Sequence, residues 1–394
     1  MVHLHFICTC TSSTPALTRL SSALQLHAAG SLANTLAGYS LLKAAGAQRQ
    51  QAQVAQVAAV RQHLQLPGAE PPHRTQARQR HSHVAPMHAA VAMSGPVGDD
   101  HLGEFFRSHF ARVGVDWIER PLAGMGTGTV IVLTTPDAQR TFLSYPGPPC
   151  ELHLSDDTFR AVSGARCMVV EGYLWEMPGA AAEIARATRA AKAHGCAVAM
   201  TMADVSVVRR HRAEVREAMQ HADIVFTNAA EAAALLGYDA EQRETQQGIS
   251  ASSRSAQECA LQLGSVCPFV VVTDGSRGSH VTALGHLHTI PPHWALTPPV
   301  DTCGAGDAYA AGFLYAYLSG MPVRAMGNFA AMTASAVISH QGPQLLPEHA
   351  KQLAGCWPEH DEMQASMQSS DGALEDAAVP WSPSHYGWQC GLAV

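Results

Sequence analysis

From residue 167 to residue 274 short apolar runs alternate with stretches of helical spacing. That alternation narrows the possible folds more than anything else in this 394-residue chain. Cys167–Glu171, residues 196–202, residues 224–226 and Phe269–Thr273 read as strands, and residues 178–194 and 207–221 read as helices. A strand, a crossover helix and a further strand build a parallel sheet with helices packed against it. Ligands in such sheets sit beyond the C-terminal ends of the strands. Glu171, Asp204, Asn228 and Asp274 all stand at such ends.

Past these strands comes Asp301-Thr302-Cys303-Gly304-Ala305-Gly306-Asp307, followed by AYAAGFLYAYLSG. The first half reads as a Gly-rich turn. The second reads as a helix, with Ala305, Ala308, Ala311, Gly312 and Tyr315 giving small and apolar faces, and with Gly320 and Pro322 as stop signals. A Gly-rich turn feeding a helix points several backbone N–H groups at one spot, and the helix dipole adds partial positive charge, so the spot suits an anion. Asp307 stands at its mouth. A carboxylate there repels phosphate unless it has another task, and the natural one is to take a proton from an attacking hydroxyl. A Walker A loop is excluded, since Lys43, Lys192 and Lys351 are the only lysines and none follows a suitable Gly. The dinucleotide fingerprint fails because Tyr309 occupies the third Gly position. The local alternative is an ordinary helix N-terminus with an acidic first turn.

The run DTCGAGDAYAAGF resembles the C-terminal signature of the PfkB, or ribokinase-like, carbohydrate and nucleoside kinases. The resemblance covers about residues 30–46 and 88–350. It implies an α/β fold, a ribokinase-like three-layer α/β/α sandwich with a small β-sheet lid. It implies transfer of the ATP γ-phosphate to a hydroxyl of a sugar or nucleoside, with Mg2+ and K+ as cations. By resemblance Asp307 is the catalytic base, and the amides of Gly304, Ala305 and Gly306 form the anion hole.

Further motifs acquire roles from the same resemblance. Gly30-Ser31-Leu32-Ala33-Asn34-Thr35 is similar to the N-terminal motif that binds substrate hydroxyls, which falls here on Gly30, Ser31 and Asn34; locally, Ser31 or Thr35 capping a helix suffices. Asn228-Ala229-Ala230-Glu231 is similar to an Asn-x-x-Glu motif that places Mg2+ and phosphate, with Glu231 reaching the metal directly or through water. The same spacing is also a capping box. Thr273, Gly275, Ser276 and Gly278 lie in a turn that the resemblance assigns to the nucleotide, and Asn328 is a candidate for the adenine edge. Residues 337–342, with Asp301 and Cys303, resemble a monovalent-cation loop. Cys303 has no neighbouring base to make it a nucleophile. Residues 127–132 and 140–143, around the turn residues Thr135-Pro136-Asp137-Ala138, form a hairpin pattern that would be the lid. The GSLANT and TTPDAQRT stretches look most like the adenosine-kinase-like branch.

Composition removes other classes. A net charge of −7 argues against a nucleic-acid binder. No apolar run is long enough for a membrane span. The ten Cys contain no C-x-x-C pair and read as reduced thiols, and the twenty-two His show no convergent metal-binding spacing. Residues 1–29 are Ser/Thr-rich and acid-free, which fits a targeting segment or a truncated start; the expected location is cytoplasmic, with a plastid or mitochondrion as the alternative. Residues 47–86 read as a low-complexity, disordered insertion within a 30–350 kinase domain, and 355–394 as a disordered tail. The expected partner is a small-molecule sugar or nucleoside, and a homodimer through the lid is compatible with the family pattern. One departure stands out: no acid precedes Gly30, so the Asp with which the family grips its acceptor has no counterpart, and the first strand is missing or replaced by residues 3–8. The rival expectation is therefore a catalytically weak PfkB-like scaffold or assembly factor, in an organelle.

Overall fold

The computed structural model describes residues 3–9, 24–29, 31–63, 91–134, 140–148, 150–238, 255–293 and 298–356. Gly30, the turn residues 135–138, most of the low-complexity stretch and the tail beyond Cys356 lie outside them.

The chain begins with strands β1 (His3–Thr9) and β2 (Leu24–Ala29) and a long helix α1 (Ser31–His63). Strand β3 (Val91–Met93), helix α2 (His101–Arg112) and strand β4 (Val115–Trp117) follow, then the hairpin β5 (Thr129–Thr134) and β6 (Arg140–Tyr145). Alternation then sets in: α3 (Asp156–Gly164), β7 (Cys167–Glu171), α4 (Ala180–Ala193), β8 (Ala197–Thr201), α5 (Val205–Arg210), α6 (Arg212–Met219), β9 (Ile224–Asn228), α7 (Ala229–Leu235), α8 (Ala256–Leu263) and β10 (Phe269–Thr273). Strands β11 (Ser279–Ala283) and β12 (His286–Ile290) precede the closing helices α9 (Ala305–Leu318), α10 (Val323–Val337) and α11 (Pro347–Gly355).

Strands β7 to β10 pair in parallel, and β11 and β12 add antiparallel, in the order β12-β11-β10-β9-β8-β7. Side chains alternate between two cores. Ala197, Ala199, Ile224, Phe226, Phe269 and Val271 face one cluster with α1, α9 and α10. Val198, Met200, Val225, Val270 and Val272 face the other, with α4 to α8. Strands apolar on both faces are what a helix layer on each side requires, so the molecule is an α/β/α sandwich.

The expected hairpin is present, with Ile131 paired to Leu143 in an antiparallel ladder. Residues 3–9 do form a strand, but not in the central sheet. β1 pairs with β2 and, in parallel, with β5, making a four-stranded lid of order β2-β1-β5-β6. It therefore does not substitute for a first central strand. The six-stranded sheet stops at β7, and β3–β4 forms a separate ladder.

Two readings are corrected. The disordered insertion does not begin at residue 47, because α1 continues to His63. Residues 47–63 contain no Gly or Pro and are rich in Ala, Gln and Arg, which are good helix formers, and Arg49 Nη1 donates to Ala354 O at 2.6 Å, tying α1 to the end of α11. The single helix expected over 207–221 is two. It breaks at His211, where the backbone leaves helical values (φ −115°, ψ 26°) and the ring bonds Glu176 Oε1 at 3.1 Å.

Candidate active site

Gly304 makes the turn into α9. Its φ of 76° lies in the left-handed region, and a Cβ on it would stand 2.1 Å from Pro343 O, so only Gly fits. Ala305, Gly306 and Asp307 open the helix, where the first amides have no intrahelical acceptor. Asp301 supports this turn from below: its Oδ1 accepts from Cys303 N at 2.9 Å and its Oδ2 from Gly342 N at 3.2 Å. The Asp301 carboxylate thus shapes the loop between the Gly-rich turn and residues 338–342.

Asp307 is met by the start of α1. Ser31 Oγ donates to Asp307 Oδ1 at 2.6 Å, and Asn34 Nδ2 donates to Oδ2 at 2.9 Å. Thr35 Oγ1 donates to the Asp307 carbonyl at 3.3 Å. Burial pushes the Asp307 carboxyl up to about 6, and the Ser31 and Asn34 bonds act against that rise. Asn34 is itself buried, and its Oδ1 accepts from Gln344 Nε2 at 3.4 Å. Its amide is the one expected on a substrate hydroxyl, and in the structure its Nδ2 is on the Asp307 carboxylate.

Asn228 and Glu231 form a complete capping box on α7. Glu231 N donates to Asn228 Oδ1 and Asn228 N to Glu231 Oε2, both at 2.9 Å. Thr227 Oγ1 adds a bond to Glu231 Oε2 at 3.3 Å. Burial pushes Glu231 up to about 7, with Asp204 and Asp307 adding like charge. Glu171 at the end of β7 is also pushed up to about 7, chiefly by burial, and the Asp307 charge adds to it. Its Oε2 accepts from Tyr173 N at 3.2 Å, while its Oε1 is buried with no hydrogen-bond partner.

Glu171, Glu231 and Asp307 are thus all raised by burial, and the Asp307 charge acts on both glutamates. Among the described residues no group of three potential ligands is close enough to hold a metal alone, so phosphate oxygens and water would have to complete any coordination. Glu171 and Asp204 were placed at strand ends by the sequence, but no motif marked them as site residues. Thr227 and Gln344 gave no signal at all.

The turn expected to take the nucleotide follows β10. Gly275 and Gly278 both have positive φ (58° and 94°), and Asp274 N closes the turn on Gly278 O at 2.8 Å. Thr273 Oγ1 donates to Thr227 O at 3.5 Å, joining this turn to the Asn228 strand end. Ser276 is exposed, and Arg277 pairs with Asp274. Asn328 lies exposed on α10. The structure gives neither Ser276 nor Asn328 a contact with Asp307 or Glu231. A cavity of about 310 Å³ lined by Val97, Gly98, Thr127, Gly147 and Glu176 does not include Asp307. Its rim is held by Asp100, which accepts from Gly103 N and from both N and Oγ1 of Thr127.

Comparison with known families matches residues 80–350 to the pfkB family carbohydrate kinase. The chain belongs to the pfkB family. A 5-dehydro-2-deoxygluconokinase of Shouchella clausii is 26% identical over 263 residues, which is 65% of this chain and 78% of the relative. The crystal structure of adenosine kinase from Sinorhizobium meliloti superposes with a TM-score of 0.67 at 26% identity, over 90% of this chain and 97% of that one. Arabidopsis thaliana ribokinase, solved with ribose and ATP, shares the fold at a TM-score of 0.60 and 18% identity, over 90% of this chain and 96% of that one. This pfkB-family chain is an ATP-dependent phosphotransferase acting on a hydroxyl of a sugar or nucleoside, and the scaffold alternative is not favoured. No helix among the described residues is long and apolar enough to cross a membrane.

Proposed function

We propose that Asp307 is the base of this kinase and that Ser31 and Asn34 aim it. The observation that carries the reading is the meeting of α1 and α9. One carboxylate sits in the first turn of a helix entered through a Gly-rich loop, is held by two side-chain donors, and faces two further buried acids. In this reading the acceptor hydroxyl lies against Asp307 and gives up its proton as the γ-phosphoryl group arrives. The amides of Gly304, Ala305 and Gly306 stabilise charge on the transferring group. Thr273, Gly275, Ser276 and Gly278 hold the donor's phosphates and ribose, and Asn328 borders its base.

Mg2+ fits the donor set. The bare Glu171 Oε1, the buried Glu231 and the like charge of Asp204 and Asp307 favour a hydrated dication there. Bound, it would neutralise phosphate charge. The backbone near Asp301 and Cys303, with the loop 337–342, would serve K+. Gly30, Ser31 and Asn34 border the acceptor, and 30–350 forms the catalytic unit. Pairing through the lid, where Ile131, Leu143 and Tyr145 are exposed, would make a homodimer.

The acceptor panel is ribose, fructose, adenosine and inositol, to which the relatives add 5-dehydro-2-deoxygluconate. Purified protein with Mg2+ and K+ is expected to turn over ATP on at least one of them, and Asp307→Asn to cut that turnover by about 10²–10⁴. No turnover on any member, together with an Asp307→Asn change that leaves the protein's cellular effect intact, rejects the reading.

A further inference from the structure

Outside the reaction centre, His340 and His349 come together. His340 follows α10, His349 lies on α11, and their ring centres are 5.2 Å apart with planes inclined at 34°. His340 Nδ1 lies 2.8 Å from Gln341 O. A carbonyl oxygen only accepts, so that nitrogen carries the proton, and Nε2 is left with a lone pair. His340 Nε2 is buried and has no partner, and so is His349 Nδ1.

Each of these two nitrogens, on neighbouring rings, is a buried polar atom left without a bond, and one ion placed between the rings would satisfy both. The spacing fits this. Rings that ligate a single tetrahedral ion through nitrogens about 2.0–2.1 Å from it place their centres about 5 Å apart. The Nδ1–H bond from His340 to a backbone carbonyl is the second contact that orients a ligating histidine. Among the described residues no third protein ligand converges, so water would fill the remaining positions and binding would be modest.

We propose that His340 and His349 form a two-histidine site for a first-row transition-metal dication of the zinc class. The site lies beside the kinase machinery. Gly342 N donates to Asp301 Oδ2, Val300 N donates to Ile338 O at 2.8 Å, and Pro343 O lies against Gly304. An ion bridging the histidines ties α11 to the loop that supports the anion-hole turn, so occupancy is read in that turn.

The test uses the full chain without an affinity tag, stripped with EDTA, and titrated with Zn2+ by calorimetry and with Co2+ by visible absorption, in the presence of Mg2+. The expected result is one class of site that weakens at least about tenfold in both His340→Gln and His349→Gln and is retained in His349→Cys, since thiolate also ligates zinc. Near-UV circular dichroism without metal checks that each variant is folded. Because the chain holds twenty-two His, only the difference from wild type counts. Unchanged affinity and stoichiometry in both Gln variants overturn the proposal, as does a site lost in His349→Gln but not regained in His349→Cys.

Discussion

Ser31 Oγ reaches Asp307 Oδ1 at 2.6 Å across 276 residues of sequence, so the first turn of α1 holds the acid in the first turn of α9. Two opposed effects meet on that carboxylate. Burial raises it to about 6, and the hydroxyl and the Asn34 amide pull it down. A base must be ionised to work, so kcat/KM is expected to fall as pH drops below about 6. Ser31→Ala removes a bond that favours the ionised form, and the acid limb therefore moves up. At pH 6 the rate falls by about tenfold, since a hydrogen bond to a charged group contributes about 1.5 kcal/mol or more. An unmoved limb in the pH profile would show that Ser31 does not tune the base.

Asp307→Asn keeps the size of the side chain and both neighbours as partners, but it cannot take a proton. kcat is expected to fall by about 10²–10⁴, the usual worth of a positioned base, while ATP affinity measured by calorimetry stays within a few-fold of wild type. A variant that retains wild-type kcat removes Asp307 from the chemistry.

Two glycines of one turn should separate folding from catalysis. In Gly304→Ala the methyl meets Pro343 O at 2.1 Å on a left-handed backbone, so stability falls by about 2 kcal/mol or more in urea unfolding. A Cβ on Gly306 meets nothing within 4 Å, so Gly306→Ala keeps or slightly raises the melting temperature. Its methyl projects where the anion is expected, and kcat drops. Wild-type kcat in a stable Gly306→Ala protein argues that no phosphoryl group passes there.

Local patterns exposed most of this molecule in the sequence. Val270-Val271-Val272 is apolar on both faces, so a strand between two helix layers was readable, and Asn228-Ala229-Ala230-Glu231 announced its own helix start. What escaped reading was long-range or compositionally disguised. The Ala/Gln-rich residues 47–63 look like low complexity, yet they are helical because α1 is anchored at Arg49 to the end of α11. Strand β1 looked like a possible central strand, and only its pairing with β5 shows it to be lid. Glu171 carries no motif. Its unusual environment arises because β7 brings it beneath Asp307, a proximity that no spacing encodes. The bond between Asn34 and Gln344 is equally silent in the sequence, because one amide is in α1 and the other just before α11.

Glu231 offers the sharpest separation of metal chemistry from folding. Its carboxyl is raised to about 7 from an ordinary value of 4.5, chiefly by burial, so the native state disfavours its charge. The sign follows directly: the stability associated with this group is fully present below its unfolded pKa and is lost as pH rises through about 7. Glu231→Gln is neutral at every pH, and Gln at the third helical position still closes a capping box with Asn228. The Gln amide nitrogen loses the bond that Oε1 accepts from Asn228 Nδ2 at 2.7 Å, while the buried charge disappears, so at pH 8 the variant is expected to stay close to wild type in thermal melts. The Mg2+ concentration for half-maximal turnover should instead rise by about tenfold, since the charge that attracts the hydrated ion is gone. If Mg2+ dependence is unchanged while stability drops, Glu231 is only a helix cap, and the metal is held elsewhere.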